Sequence, residues 1–112
     1  MTDDKQMMDM AYEAVELAKK SGKIRKGTNE ATKAIEKGTA KLVVVAKDVN
    51  PPEIVMHISP LCKEKNIPCV QIGTKDDLGA AAGLAVGTCA IAVVQEGQAA
   101  NVIKEIEKAL KE

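Results

Sequence analysis

Apolar residues recur along this chain in two rhythms, one helical and one extended, and the switches between them mark out the elements. Over residues 5–20, Met7, Met8, Ala11, Val15 and Ala18 return at helical spacing with Glu13, Glu16, Lys19 and Lys20 between them, and Ser21-Gly22 ends the predicted helix behind two cations. Residues 23–27 form a connector in which 24–26 can be briefly extended. A second helix, opened by Gly27 or Thr28, runs to about Lys37 and stops at Gly38. Residues 41–46 are a short β-branched run, the pattern of a buried strand with a parallel neighbour. After a turn at 48–52, a proline at the first helical position starts a helix over about 52–65, with Ile54, Val55, Ile58, Leu61 and Cys62 inward. Pro60 inside that helix removes a hydrogen bond and predicts a bend. A strand at 69–72 follows. Thr74 then caps a helix over 75–82 whose first turn carries Asp76 and Asp77. The loop 83–87, a strand at 88–94 and a last helix at 99–111 complete the pattern.

Strands alternating with helices predict an α/β fold, a three-layer α/β/α sandwich around a small mixed sheet. With 112 residues and no linker, repeat or low-complexity segment, residues 1–112 are expected to form a single domain.

Composition narrows the chemistry. One tyrosine, with no phenylalanine and no tryptophan, makes the core aliphatic and removes the aromatic platforms on which single-strand binders stack bases. No apolar run reaches the roughly 18 residues of a membrane-spanning helix. The acidic start Thr2-Asp3-Asp4 does not resemble a secretory signal. Cys62, Cys69 and Cys89 are odd in number and show no CxxC, which argues against a disulfide framework and against zinc and points to the cytoplasm.

The net charge is zero, but its distribution is uneven. Residues 19–47 hold nine Lys or Arg against Glu30 and Glu36, a local balance of +7. Such a block is either a solvated surface or a field that steers an anion. Within it, Asn29, Glu30 and Lys33 share one helix face. An amide, a carboxylate and an ammonium offer complementary donors and acceptors. They suit base edges, Glu30 accepting from a guanine N–H while Asn29 and Lys33 reach O6 or N7. The first-turn N–H groups near Gly27, Thr28 and Asn29 suit a phosphate oxygen, with Lys23, Arg25 and Lys26 beside them. The other reading of the same residues is a capping box with an i,i+3 ion pair.

In the loop Gly83-Leu84-Ala85-Val86-Gly87 the apolar residues either form an exposed contact patch or fold onto the core. His57 has no acidic or cysteine partner at ligand spacing, so it is expected to be a helix-surface or boundary residue. No nucleophile, P-loop, zinc or dinucleotide motif assembles, so no catalytic residue, metal or cofactor is expected.

Arg25-Lys26-Gly27-Thr28-Asn29-Glu30-Ala31-Thr32-Lys33 resembles the RNA-binding signature of the archaeal L-seven-Ae ribosomal protein family, whose relatives include spliceosomal and nucleolar kink-turn binders. The likeness continues through residues 41–46, 48–55, 57–58, 61–62, 64–68, 75–79 and 95–97. The resemblance implies a non-enzymatic α/β/α module that binds kink-turns and kink-loops, in which tandem sheared G·A pairs abut a bulge. It implies that Asn29, Glu30 and Lys33 read the sheared pairs and that Arg25, Lys26, Gly27 and Thr28 meet phosphates. Leu84, Ala85 and Val86 would pack on the bulged nucleotides, and Asn50, Ile54, Lys75 and Cys89 would line the pocket of a flipped-out base. Two positions depart from the pattern: Asn50 replaces a common acidic residue and Gly87 a common proline. The implied partners are ribosomal RNA, box C/D and H/ACA guide RNA and RNase P RNA, with the proteins of those particles, and the chain is expected to be a monomer when free. The alternatives are a protein-interaction module of the same fold without kink-turn binding, or a small enzyme using His57 or a cysteine.

Overall fold

The computed structural model describes residues 4–49, 53 and 55–111. The chain runs α1 (Asp4–Ser21), β1 (Lys23–Lys26), α2 (Thr28–Glu36), β2 (Leu42–Val45), α3 (Ile58–Lys65), β3 (Cys69–Gln71), α4 (Lys75–Ala81), β4 (Ala90–Gln95), a 3-10 turn (Gly97–Ala99) and α5 (Ala100–Lys111). The four strands form one mixed sheet in the order β1-β4-β2-β3. β4 lies antiparallel to both β1 and β2, and β2 and β3 are parallel. The parallel neighbour expected for β2 is therefore present on one side only. α1, α4 and α5 pack together on one side of the sheet, and α2 with α3 on the other. This is the expected three-layer α/β/α sandwich.

The two central strands have the most apolar sequences. All four residues of β2 are buried, as are the first four of β4. Ile35, Leu42, Ile58, Leu78, Ile91, Ile103 and Ile106 are the largest side chains fully inside, so branched aliphatics fill the space that aromatics usually take. β1 is an edge strand. Lys23, Arg25 and Lys26 are exposed on it, while Ile24 packs against the core.

The third helix differs from its sequence expectation. Residues 50–52 and 54, on which its proposed start falls, lie outside the described residues. Among the described residues, 55–57 form a turn, and the helix begins at Ile58 with His57 as its cap residue. Pro60 is the physical reason. In a helix begun at 52, its ring would clash with the carbonyl of Met56 and its missing N–H would break the ladder. As the third residue of a helix begun at Ile58, it sits where no N–H has an intrahelical acceptor. Pro60 thus belongs to the start of α3 and does not bend it. Leu61, expected inward, is half-buried.

α1 reaches the far end of the sheet through Tyr12. Its hydroxyl lies against Gly73, whose φ of 68° and missing Cβ make room for it. The hydroxyl is buried, and among the described residues it makes no hydrogen bond of good geometry, the Thr74 backbone lying near it. Burial pushes its pKa above the usual tyrosine value, the nearby Thr74 backbone pulls the other way, and Asp77 and Asp48 add to the rise. A buried polar group without a partner costs stability, so Tyr12→Phe should stabilise the protein by on the order of 1 kcal/mol. A higher urea midpoint at unchanged m is the expected result. A lower midpoint would show that the hydroxyl makes a bond that matters.

Candidate nucleic-acid interface

β1 and α2 form a tight strand–turn–helix unit that turns at Gly27. That residue has φ 98° and ψ 158°, a conformation other residues adopt only with strain. Its N–H donates to the Ala90 carbonyl at 2.9 Å, and its carbonyl accepts from Ala31 at 2.9 Å. The Gly27 N–H is therefore committed to the sheet and not available to a phosphate. The N–H groups of Thr28, Asn29 and Glu30 come before the first intrahelical bond, and no side chain caps the helix. The capping box does not form, because glycine stands at the cap and has no side chain to accept with.

The second half of the alternative reading is present but weak. Glu30 and Lys33 approach to 4.0 Å, the outer limit of an ion pair, with both side chains more than half exposed. Asn29 is exposed, and its amide has no hydrogen-bond partner among the described residues. The face that could read a ligand is thus largely unengaged.

Thr32 steadies the helix from behind. Its hydroxyl donates to the Thr28 carbonyl at 2.8 Å and lies 2.8 Å from His57 Nε2. The contact with His57 ties α2 to the start of α3. His57 is a boundary residue, as expected.

Side-chain alternation on β1 sends Lys23 and Arg25 towards α2 and Lys26 to the opposite face. Arg25 therefore shares a cleft with Glu30 and Lys33. Sequence reasoning grouped Arg25 with Lys26, and the structure separates them.

Of the remaining candidates, Lys75 and Cys89 meet at the same end of the sheet. Hydrogen bonds step across it. The Ala46 N–H donates to Cys89 at 3.0 Å, the Lys47 N–H to Gly73 at 3.0 Å and the Thr88 N–H to Lys75 at 3.0 Å. Asp48 Oδ1 accepts from the Lys75 N–H at 2.8 Å, a contact that no sequence spacing announces. Exposed Lys75 and half-buried Cys89 are therefore held side by side, with Gly27 bound to the next residue, Ala90. Asn50 and Ile54 lie outside the described residues.

The apolar loop divides its residues between the two readings open to it. Leu84 packs against the core, its N–H bonded to the Gly79 carbonyl at 2.8 Å. Ala85 is exposed, and Val86 is 72% exposed. The loop lies directly on α4, because a Cβ on Gly79 would collide with the Val86 carbonyl and come within 3.0 Å of the Gly87 Cα.

Two of the three cysteines, Cys62 on α3 and Cys69 at the start of β3, lie against one another. The Cys62 thiol, hydrogen-bonded to Cys69 and buried, is pushed well above the usual thiol range, while that bond pulls Cys69 down. Among the described residues no three His, Cys, Asp or Glu side chains are grouped to hold a metal.

An α/β/α sandwich with an uncapped helix start amid cations at one end of the sheet defines an anion-facing scaffold. Residues 9–103 match the ribosomal protein L7Ae/L30e/S12e/Gadd45 family, and the chain belongs to that family. Among solved structures it is similar to the Giardia lamblia 15.5kD RNA binding protein, with a TM-score of 0.90 and 31% sequence identity over 99% of this chain and 92% of that one.

The close fit of loop on helix gives a test. Alanine in place of a helical glycine normally gains up to about 1 kcal/mol. At position 79 the carbonyl of Val86 occupies the space, so Gly79→Ala should instead cost about 1–3 kcal/mol. It should also shift the amide resonances of residues 84–87. A stabilised variant with an unmoved loop would contradict this packing.

Proposed function

We propose that this chain is a non-enzymatic RNA-binding module that recognises and stabilises kink-turn and kink-loop RNA. One observation carries the reading: Asn29 and Glu30 stand exposed at the uncapped start of α2, with Lys33 exposed about one turn on and Arg25 in the same cleft as Glu30 and Lys33. Family membership and the named RNA-binding neighbour supply the ligand class.

In this reading Glu30 accepts from guanine N–H groups of the sheared pairs, and Asn29 and Lys33 donate to their acceptors. The free N–H groups of Thr28 and Asn29 face phosphate, with Arg25 and Lys26 on either side of the strand. Val86 and Ala85 cover the bulged nucleotides from the α4 side. Lys75 and Cys89, with Asn50 and Ile54, receive the extruded base. The protein favours the bent RNA by its extra affinity for that state and by nothing else. The bent RNA then presents partner proteins in the ribosomal, box C/D, H/ACA and RNase P particles, one binding activity used in several places.

A gel shift with a kink-turn RNA and with its G·A-disrupted version tests the reading. Tight binding to the first and weak binding to the second is expected. Equal binding, or none, would overturn it. Glu30→Ala and Lys33→Ala should each cost on the order of 1–3 kcal/mol on the intact RNA and remove the discrimination. Arg25→Ala and Lys26→Ala should weaken binding to every RNA and lower the salt slope by about one. Four variants behaving alike would refute the division between base readers and phosphate contacts.

A further inference from the structure

Cys62 and Cys69 take no part in the RNA reading. No CxxC spacing announces them, and the fold brings them together by a reversal of the chain. Asn66 ends α3 in the left-handed region, at φ 59°, and the Ile67 N–H returns to the Cys62 carbonyl at 2.9 Å. The chain then enters β3, whose first residue is Cys69. The two thiols meet across this reversal, close enough to share a hydrogen bond.

Cys62 is fully buried, and packing in an aliphatic core accounts for it. Packing does not account for Cys69. That residue is half-buried at the start of an edge strand, and it lines two cavities. The larger, of about 570 Å³, has both cysteines in its wall together with Lys63 and Asn66. A small molecule can therefore reach Cys69 from solvent, while Cys62 lies behind it. The shared hydrogen bond draws Cys69 towards the thiolate and, with burial, keeps Cys62 protonated. A reachable sulfur backed by an enclosed thiol is the arrangement of an attacking and a resolving cysteine.

The geometry points to a reversible disulfide site: Cys69 attacks a low-molecular-weight disulfide such as oxidised glutathione, and Cys62 resolves the adduct into an internal Cys62–Cys69 bond. Cys69 gives its proton to water, and its thiolate bonds to one glutathione sulfur. The other glutathione leaves as a thiolate and takes up a proton from water. The Cys62 sulfur then attacks the Cys69 sulfur and expels the second glutathione, which leaves with the Cys62 proton. Two cysteine thiols are oxidised, and one glutathione disulfide is reduced to two thiols. Lys63 on the cavity wall suits the carboxylates of that peptide. The sulfurs must close to about 2 Å, a small movement for a strand paired on one side only. The bond ties α3 to β3, at the sheet edge opposite β1, so the inference does not depend on the RNA reading.

The test equilibrates folded, reduced wild-type protein with glutathione buffers of increasing oxidised fraction. Samples are quenched in acid, unfolded, alkylated and mapped by mass spectrometry. A bridged species joining Cys62 to Cys69, with Cys89 alkylated, is expected, and dithiothreitol should reverse it. Cys62→Ala should stop at a glutathione adduct on Cys69, and Cys69→Ala should leave Cys62 free of glutathione. The oxidised wild type should melt about 5–10 °C above the reduced form, because the bond closes a loop in the unfolded chain. Separate adducts on both cysteines, a bond through Cys89, a bridge that forms only in denaturant, or an oxidised form that melts lower would each overturn the inference.

Discussion

The geometry of the candidate interface depends on the first two residues before and within β4. The Ala90 carbonyl receives the Gly27 N–H, and the preceding Cys89 carbonyl receives the Ala46 N–H. β4 is therefore the bracket between the β1–α2 turn on one side and the end of β2 on the other. β2 in turn passes the connection to Gly73 through Lys47. Residues from three distant parts of the sequence meet because the last strand inserts into the middle of the sheet. A sheet built in sequence order would place the Gly27 turn away from Cys89 and Ala90.

The Gly27 turn combines structural and chemical roles. Its positive φ lets the chain reverse in one residue, and its lack of a side chain leaves the helix start uncapped. A serine or aspartate cap would occupy the donors, but it gains only a few tenths of a kcal/mol over glycine, and the φ of 98° would strain either residue. The sequence instead leaves N–H groups, an asparagine amide and several cations unengaged at one place. Local stability is given up where a ligand can restore it, the usual relation between strain and site.

Much of this was legible beforehand, for identifiable reasons. β2 and β4 announce themselves by β-branched, apolar composition, and α1 by its helical repeat. The face formed by Asn29, Glu30 and Lys33 follows from spacing alone. Four features were hidden. The start of α3 depends on where Pro60 falls relative to the first turn, which a period cannot fix. The separation of Arg25 from Lys26 requires knowing that residues 23–26 are a strand with α2 packed over one face. The closeness of the 84–86 loop to α4 depends on Gly79, which looks in sequence like an indifferent helical glycine among alanines. Asp48 holding the Lys75 N–H is a contact across 27 residues and leaves no local trace.

The neutral total charge acquires a meaning from this arrangement. A uniformly basic surface would bind any polyanion on any face, and its affinity would carry little information about orientation. Here the excess cations belong to one quarter of the sequence, and the cleft beside α2 gathers four of them, while the rest of the chain is net acidic. The acidic remainder repels a phosphate backbone that approaches from elsewhere. In the proposed reading, an RNA duplex is thereby turned towards the β1–α2 edge before any base is read. Once it arrives, the rigid pair of a strand and a helix fixes which groups it meets. In that reading, orientation by charge and discrimination by Asn29, Glu30 and Lys33 are separable tasks carried by adjoining residues of the same two elements.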